Sequence, residues 1–414
     1  MSALPAFAET ETSTRPYAIA AMESTAPETF YEPTEEGVEG PRPAKAGIMN
    51  YIYSHLHTHA DVTGSYNDNI YLINRPKKGD FVTTVTPGIS YRIGDDRPTR
   101  EGRLKSYFEI DTGYKVDYYT ANNINFNKPY VTVSLRGAGD HYLTEFNYTY
   151  MKDILTRQLL DSGSEGMLGV ARTMADLKFQ YDWNRIGAEM RYKLYQTKYD
   201  DIFKTPSSIR DNSIRGLVWV SPSFTPKTRF YFEYDYGIYD YYYQAVNNVN
   251  DFKYHQFWLG ARGSFTKKLT GDIKVGKELR FGYVSIGKYK DSLLINFKLQ
   301  YRYSQKLAFG LNALSDARPS TSIGAGLDSS YSFFLYTVYR FNPQVMCTGG
   351  LSYDYDSYKT AREDNTYGAM IKLDYLVNRW TTVGIGYTFK TRDSERAGAK
   401  YNNSIITGRL AMVF

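Results

Sequence analysis

Three of the chain's five histidines, His55, His57 and His59, stand at i, i+2 and i+4, the densest grouping of metal-ligating side chains in the sequence. On an extended strand they leave the same face, together with Asp61 and Thr63. Zinc takes three or four N, S or O ligands, so alternate histidines on a strand are a zinc-binding arrangement in principle. Same-face neighbours are nearly 7 Å apart, about twice the strand rise, and three in a row converge on one ion only across a bend. A polar, pH-responsive rim therefore ranks ahead of a metal site, and no cofactor is expected. The chain has no Gly-rich phosphate loop, Ser-centred nucleophile elbow or Cys-x-x-Cys-His haem motif, and no catalytic partner for His141 or His255 is evident in the sequence. Catalysis is not expected.

A second set of side chains suits passage better than reaction. Lys105, Tyr107, Glu109, Asp111 and Lys115 fall at alternate positions, as do Glu189, Arg191 and Lys193, then Tyr231, Glu233, Asp235 and Tyr239. Arg262, Lys298, Arg302, Lys372 and Asp374 share that phase in their own segments. The opposite phase is apolar: Phe108, Ile110, Tyr114, Val116 and Tyr118; Phe230, Phe232, Tyr234, Tyr236 and Ile238; Leu293, Ile295, Phe297, Leu299, Tyr301 and Tyr303. A channel wall with rings of one sign selects by charge, whereas this mixture favours a neutral hydrated solute. Tyr107, Tyr231 and Tyr239 would add ring faces along which sugars can slide. Alternatively, these side chains only solvate and stiffen the wall through cross-strand pairs.

The elements that must hold such faces are strands. The chain carries 41 Tyr and 22 Phe, with a mean hydropathy of −0.49 and one cysteine, Cys347. That composition is rich in strand formers. No run reaches the ~18 to 20 apolar residues of a membrane helix. In a bilayer the remaining solution is a closed sheet, where every backbone group pairs with a neighbour and only alternate side chains are apolar. A closed sheet needs no disulfide. The net charge of +6 is spread along the strands and is no nucleic-acid footprint.

From His55 to Phe414 the period is two, and eighteen strands are expected, from 55–71, 80–93, 103–119 and 128–136 through 322–340 to 402–414. A soluble sandwich would alternate as well. The connections separate the two, because tight turns such as Asn184–Ile186, Thr266–Lys268, Ser304-Gln305, Asn342-Pro343 and Asn378-Arg379 alternate strictly with long polar segments. Short periplasmic turns and long outer loops give an up-and-down barrel this rhythm. The fold expected is an all-β transmembrane antiparallel up-and-down β-barrel of 16–18 strands over residues 48–414. Eighteen strands enclose an aqueous lumen, whereas about eight are filled by side chains. Tyr66, Tyr118, Tyr236, Tyr301, Tyr303, Tyr353, Tyr355 and Tyr387 would form interfacial girdles against outer-membrane lipid.

The two ends of this region resemble a known family. Tyr66-Asn67-Asp68-Asn69-Ile70-Tyr71, Asp80-Phe81-Val82 and Pro87-Gly88-Ile89-Ser90-Tyr91 are similar to the opening hairpin of the β-barrel porins found with exopolysaccharide and capsule export systems. Tyr387-Thr388-Phe389, Arg392-Asp393-Ser394 and Tyr401-Asn402-Asn403, running on to Phe414, resemble the closing strands. The resemblance spans about residues 50–414 and implies an outer-membrane conduit or accessory pore for exopolysaccharide. Its partners would be the polysaccharide, periplasmic export components and the barrel assembly machinery, which reads a closing strand ending in an aromatic residue. A general diffusion porin, and an adhesive or structural barrel acting through its outer loops, are the alternatives.

Residues 1–8 end in Ala6-Phe7-Ala8, an A-x-A cleavage pattern, and read as the end of a signal peptide. Residues 9–47 carry eight glutamates and five prolines without alternation and read as a disordered acidic leader on the periplasmic side. Native protein is expected to begin near Glu9, and N-terminal sequencing that finds Met1 retained contradicts this.

Overall fold

The computed structural model describes residues 55–413 apart from 73–76, 95–105, 122–123, 157–166, 201–207, 226, 243–250, 283–289, 317–326, 359–361 and 397–398. The expected signal remnant, the acidic leader, Lys105 and Phe414 lie outside the described residues.

Eighteen strands follow one another: β1 (Leu56–Asn67), β2 (Asp80–Gly94), β3 (Tyr107–Tyr119), β4 (Ile124–Ala138), β5 (Tyr142–Thr156), β6 (Met167–Trp183), β7 (Ile186–Tyr199), β8 (Ser208–Val220), β9 (Thr228–Tyr242), β10 (Phe252–Ser264), β11 (Leu269–Gly282), β12 (Lys290–Arg302), β13 (Leu307–Asp316), β14 (Leu327–Arg340), β15 (Val345–Tyr358), β16 (Glu363–Asn378), β17 (Thr381–Ser394) and β18 (Tyr401–Val413). Each pairs antiparallel with its predecessor, and β1 also pairs with β18 from His59↔Val413 to Asn67↔Ile405. The sheet is therefore a closed ring with no free edge, as the composition required.

The seam between first and last strand is reinforced at one end. Asp68 donates its amide to the Ser404 carbonyl and accepts the Ser404 amide on its side chain at 2.6 Å. Asn69, fully buried, donates Nδ2 to the Asn402 carbonyl at 2.8 Å. The Asp-Asn and Tyr-Asn-Asn motifs at the two ends of the sequence are thus joined across the closure.

The tight turns share a local device. Thr266, Ser304 and Asn342 each accept two downstream amides on a side-chain oxygen, and Asn378 accepts the Trp380 amide. Such side chains mimic a backbone turn and stop the strand cleanly. Asn184, opening the β6–β7 turn, takes a left-handed φ of 58°, which its short polar side chain tolerates.

Strict alternation of short and long connections fails at β15–β16, which only residues 359–362 join at the long-loop end, and on either side of β3. Residues 95–106 join β2 to β3 at the end that otherwise carries the tight turns, while only residues 120–123 join β3 to β4 at the other end. β4 starts at Ile124 and not at 128, because the polar Asn127 falls on the otherwise apolar phase and hides the period. β14 starts at Leu327, later than the expected 322.

Outward positions are large and apolar, including Leu259, Leu293, Leu335, Leu351, Ile371 and Ile385, all exposed on the protein surface. Outward aromatics gather near the tight-turn end (Tyr142, Tyr181, Trp183, Tyr301, Tyr303) and near the long-loop end (Tyr66, Tyr118, Tyr331, Tyr367), while Tyr387 lies mid-strand opposite Ile371 and Ile406. These two belts match the interfaces of a bilayer. Asn69→Ala removes the side-chain stitch at the seam and is expected to cost about 1–3 kcal/mol. Urea titration of vesicle-inserted protein measures it, and an unshifted midpoint would show that the stitch is idle.

Candidate channel wall

The histidines do not converge. In β1, His57 pairs with Ser90 and His59 with Gly88 of β2. The His59 ring reaches across β2, placing Nε2 2.9 Å from Asp111 Oδ1 on β3 and 3.3 Å from Tyr130 Oη on β4. Glycines make that reach possible, since a Cβ at Gly88 would collide with the His59 ring and one at Gly113 with Tyr130 Oη. His55 precedes β1 and lies 6.5 Å from the Tyr91 ring. Among the described residues no three His, Cys, Asp or Glu side chains are grouped to hold a metal.

The charged phase faces inward along the whole ring, opposite the exposed apolar set. Glu233, at 1% exposure, lies between Arg215 at 3.3 Å and Lys274 at 3.1 Å, and Arg215 also approaches Glu189 at 3.9 Å. Arg191 donates Nε to Asp176 at 2.7 Å, with Lys193 opposite the same aspartate in the β6–β7 register. Lys128 bridges Asp117 and Asp153, and Arg172 also reaches Asp153 at 3.3 Å. Nearer the tight turns, Arg136 and Lys178 share Glu145, each at 2.7 Å, and Arg92 pairs with Glu109 at 3.3 Å. Lys372 meets Asp374 at 3.1 Å, and Arg409 meets Asp61 across the seam at 2.5 Å. Asp235 lies opposite Arg215 in register, Lys298 opposite Asp272, and Arg302 at the end of β12. Lys115 is inward and exposed.

Sequence reasoning placed the inward phase but missed Lys128, Asp153, Arg172, Asp176, Arg215 and Lys274, which connect the pairs. All but Asp153 lie within expected strands; Asp153 is expected to open a long polar connection, and β5 instead runs on to Thr156. What makes them partners is register between strands, and that is not written in any single segment.

The inward aromatic rings are built differently from the expectation. Trp219, Tyr231 and Trp258 each lie opposite a glycine of the adjoining strand, Gly187, Gly260 and Gly276 respectively. A Cβ at any of these glycines would occupy space taken by the ring. A cation then stands over each ring: Arg229 at 4.9 Å, Arg262 at 5.5 Å and Lys274 at 4.4 Å from the centroid. Carboxylates fix those cations, with Arg229 to Asp182 at 3.3 Å and Arg262 to Asp272 at 2.6 Å. Tyr231 Oη donates to the same Asp272 at 2.5 Å. Tyr107 has Arg92 at 4.9 Å and Arg136 at 5.1 Å over its ring, and Tyr239 stacks on Phe252 at 5.0 Å. Cations or a neighbouring ring thus stand against all three expected tyrosines, of which Tyr231 and Tyr239 are buried and Tyr107 is half-buried. The wall offers paired guanidinium, ammonium and carboxylate groups, with flattened rings as their support.

The other family-like residues are structural neighbours of the seam. Tyr401 is buried with Arg392 over its ring at 5.3 Å, and Ser394 is buried opposite Asp364. Pro87, at an outward position, lies opposite Ala60 and precedes the hollow for His59.

Gly260→Ala would force the Tyr231 ring off the wall and is expected to lower stability by about 1–3 kcal/mol. Gly216→Ala, where the added Cβ meets nothing within 4 Å, serves as the control. Equal denaturation midpoints for the two variants would contradict the packing described.

Residues 55–412 match the family described as "Putative beta-barrel porin 2". No curated protein matches. Among solved structures the chain is similar to OpdK of Pseudomonas aeruginosa with vanillate, at 9% identity and a TM-score of 0.48, covering 87% of this chain and 99% of that one. It is also similar to OccK3 (OpdO) of the same organism, at 11% identity and 0.49, over 89% and 99% of the two chains. OccAB4 of Acinetobacter baumannii gives 11% and 0.46, over 87% and 98%. The match of the whole strand region to one family model, on a closed belt that is apolar outside and charged within, is the basis for the assignment: the chain belongs to the putative beta-barrel porin 2 family and is an outer-membrane β-barrel of the channel-forming kind.

Proposed function

We propose that the barrel conducts hydrated, weakly charged solutes, saccharides foremost, with exopolysaccharide leaving the periplasm as the cargo. The supporting observation is that inward cations and carboxylates alternate at short range, as in Arg92–Glu109, Lys372–Asp374 and Arg409–Asp61, and in Arg215 and Lys274 beside Glu189 and Glu233. A wall of this kind presents no net ring of either sign and does not select strongly by charge. The polysaccharide cargo rests on the family resemblance of the two chain ends. The covered rings of Tyr231 and Tyr239 favour a second reading, a general diffusion passage for small hydrophilic solutes, because they offer no exposed sliding surface. Neither reading involves catalysis.

Planar-bilayer recordings under a salt gradient test the passage, and a reversal potential near zero is expected. Glu233→Gln leaves Arg215 and Lys274 in excess and should shift the reversal potential toward anion preference. It should also cost stability on the order of 3–5 kcal/mol, the effect of breaking a buried pair. No conductance at all would overturn the channel reading. Cell-associated polymer that rises in a deletion strain supports the polysaccharide cargo, and unchanged export supports small-solute diffusion.

A further inference from the structure

The outward face carries one feature that a lipid-tail boundary does not call for. Outward cations occur on β5, β7, β8, β10 and β11: Lys152, Lys198, Arg210, Lys253 and Lys277. Their orientation follows from alternation and register. Lys152 and Lys198 both lie opposite Ala171 of β6. Lys253 lies opposite Phe281, and Lys277 opposite Phe257 and Leu293, all three exposed on the outer surface. Arg210, half exposed, pairs with Asp240 at 2.9 Å, the only outward carboxylate among the described residues of β5–β11. Among described residues, the outward phases of the other strands carry no Lys or Arg. All five cations lie in the long-loop halves of their strands, Lys253 and Lys277 among exposed apolar side chains, and the outward side chains of the tight-turn halves are uncharged.

We infer that this arc, running from β5 to β11, is a binding surface for the phosphate groups of the phosphorylated glycolipid that forms the outer leaflet of an outer membrane. The long-loop end of such a barrel faces outward, which puts the arc at outer-leaflet headgroup height. Ammonium groups there meet phosphates in a low-dielectric boundary, where opposite charges attract more strongly than in bulk water. Lys152 and Lys198 stand one strand apart on either side of Ala171, roughly 10 Å between Cα atoms at the usual strand spacing. That separation lets two flexible side chains engage one diphosphorylated headgroup. The aromatic surface beside the arc, with His255 among Tyr234, Tyr236 and Phe281, gives acyl chains and sugar rings a flat bed. The assignment is independent of what the lumen carries.

Native mass spectrometry of the full chain in detergent tests it, with hexa-acylated bisphosphoryl lipid A, the same lipid dephosphorylated, and phosphatidylglycerol as probes. The wild-type chain should retain bisphosphoryl lipid A at least about tenfold better than the other two probes. The variant Lys152→Gln/Lys198→Gln/Lys253→Gln/Lys277→Gln should lose that preference while keeping the heat-modifiable migration of a folded barrel. If the fourfold variant does not fold, the Lys152→Gln/Lys198→Gln pair reads the same preference. Equal retention of all three probes by the wild-type chain, or undiminished lipid A retention by a folded variant, overturns the inference.

Discussion

The structure depends on the hydrogen bonding of backbone amides that have no water to turn to. In a bilayer each unpaired peptide group costs several kcal/mol, so a sheet survives there only when its first and last strands meet. β1 and β18 do so over nine paired positions, and Asp68 and Asn69 extend the joint beyond the end of the strands. Once the ring is closed, alternation assigns every side chain to lipid or lumen, and the remaining features follow from which face each one reaches. The residues that resemble a family at the two ends of the sequence are those that make this closure. Their shared pattern therefore speaks first to how the barrel shuts and only indirectly to what it carries.

Inside, the problem is to hold many charges close to a wall. Glu233, Asp111 and Arg172 are nearly fully buried, and burial of an uncompensated charge is severely unfavourable. The wall resolves this by pairing, mostly across strands, so that each such charge has one or more opposite charges close by. Glycines opposite Trp219, Tyr231 and Trp258 let large rings lie close to the sheet, where they support those cations from behind. A cation over such a ring gains on the order of 0.5–2 kcal/mol, and its position becomes fixed relative to the strand. The result is a stiff, nearly neutral lumen surface.

The barrel class, the strand number and the two faces were legible because a period of two is a local property. Leu293 to Tyr303 shows its apolar phase in one segment, and the structure places Leu293, Tyr301 and Tyr303 on the outer surface as that phase implies. The tight turns were legible too, since Thr266, Ser304, Asn342 and Asn378 carry their own capping groups. What failed was anything that needs two segments at once. The partnership of Glu233 with Arg215 and Lys274, the turning of His59 toward Asp111, and the covering of Tyr231 by Arg262 all depend on register. The early start of β4 was lost because Asn127 occupies an outward position in a strand whose flanks are already polar.

Closure is tested most directly by cysteine pairing across the seam in membrane-inserted protein, with Cys347 replaced by Ala. Ser65 and Thr407 are opposed in the β1–β18 register, within disulfide range for an antiparallel pair. The Ser65→Cys/Thr407→Cys protein should cross-link nearly completely under mild oxidation, and Ser65→Cys/Ile406→Cys, whose second thiol faces the other side, should not. Equal cross-linking in both, or none in either, would contradict a closed barrel with this register.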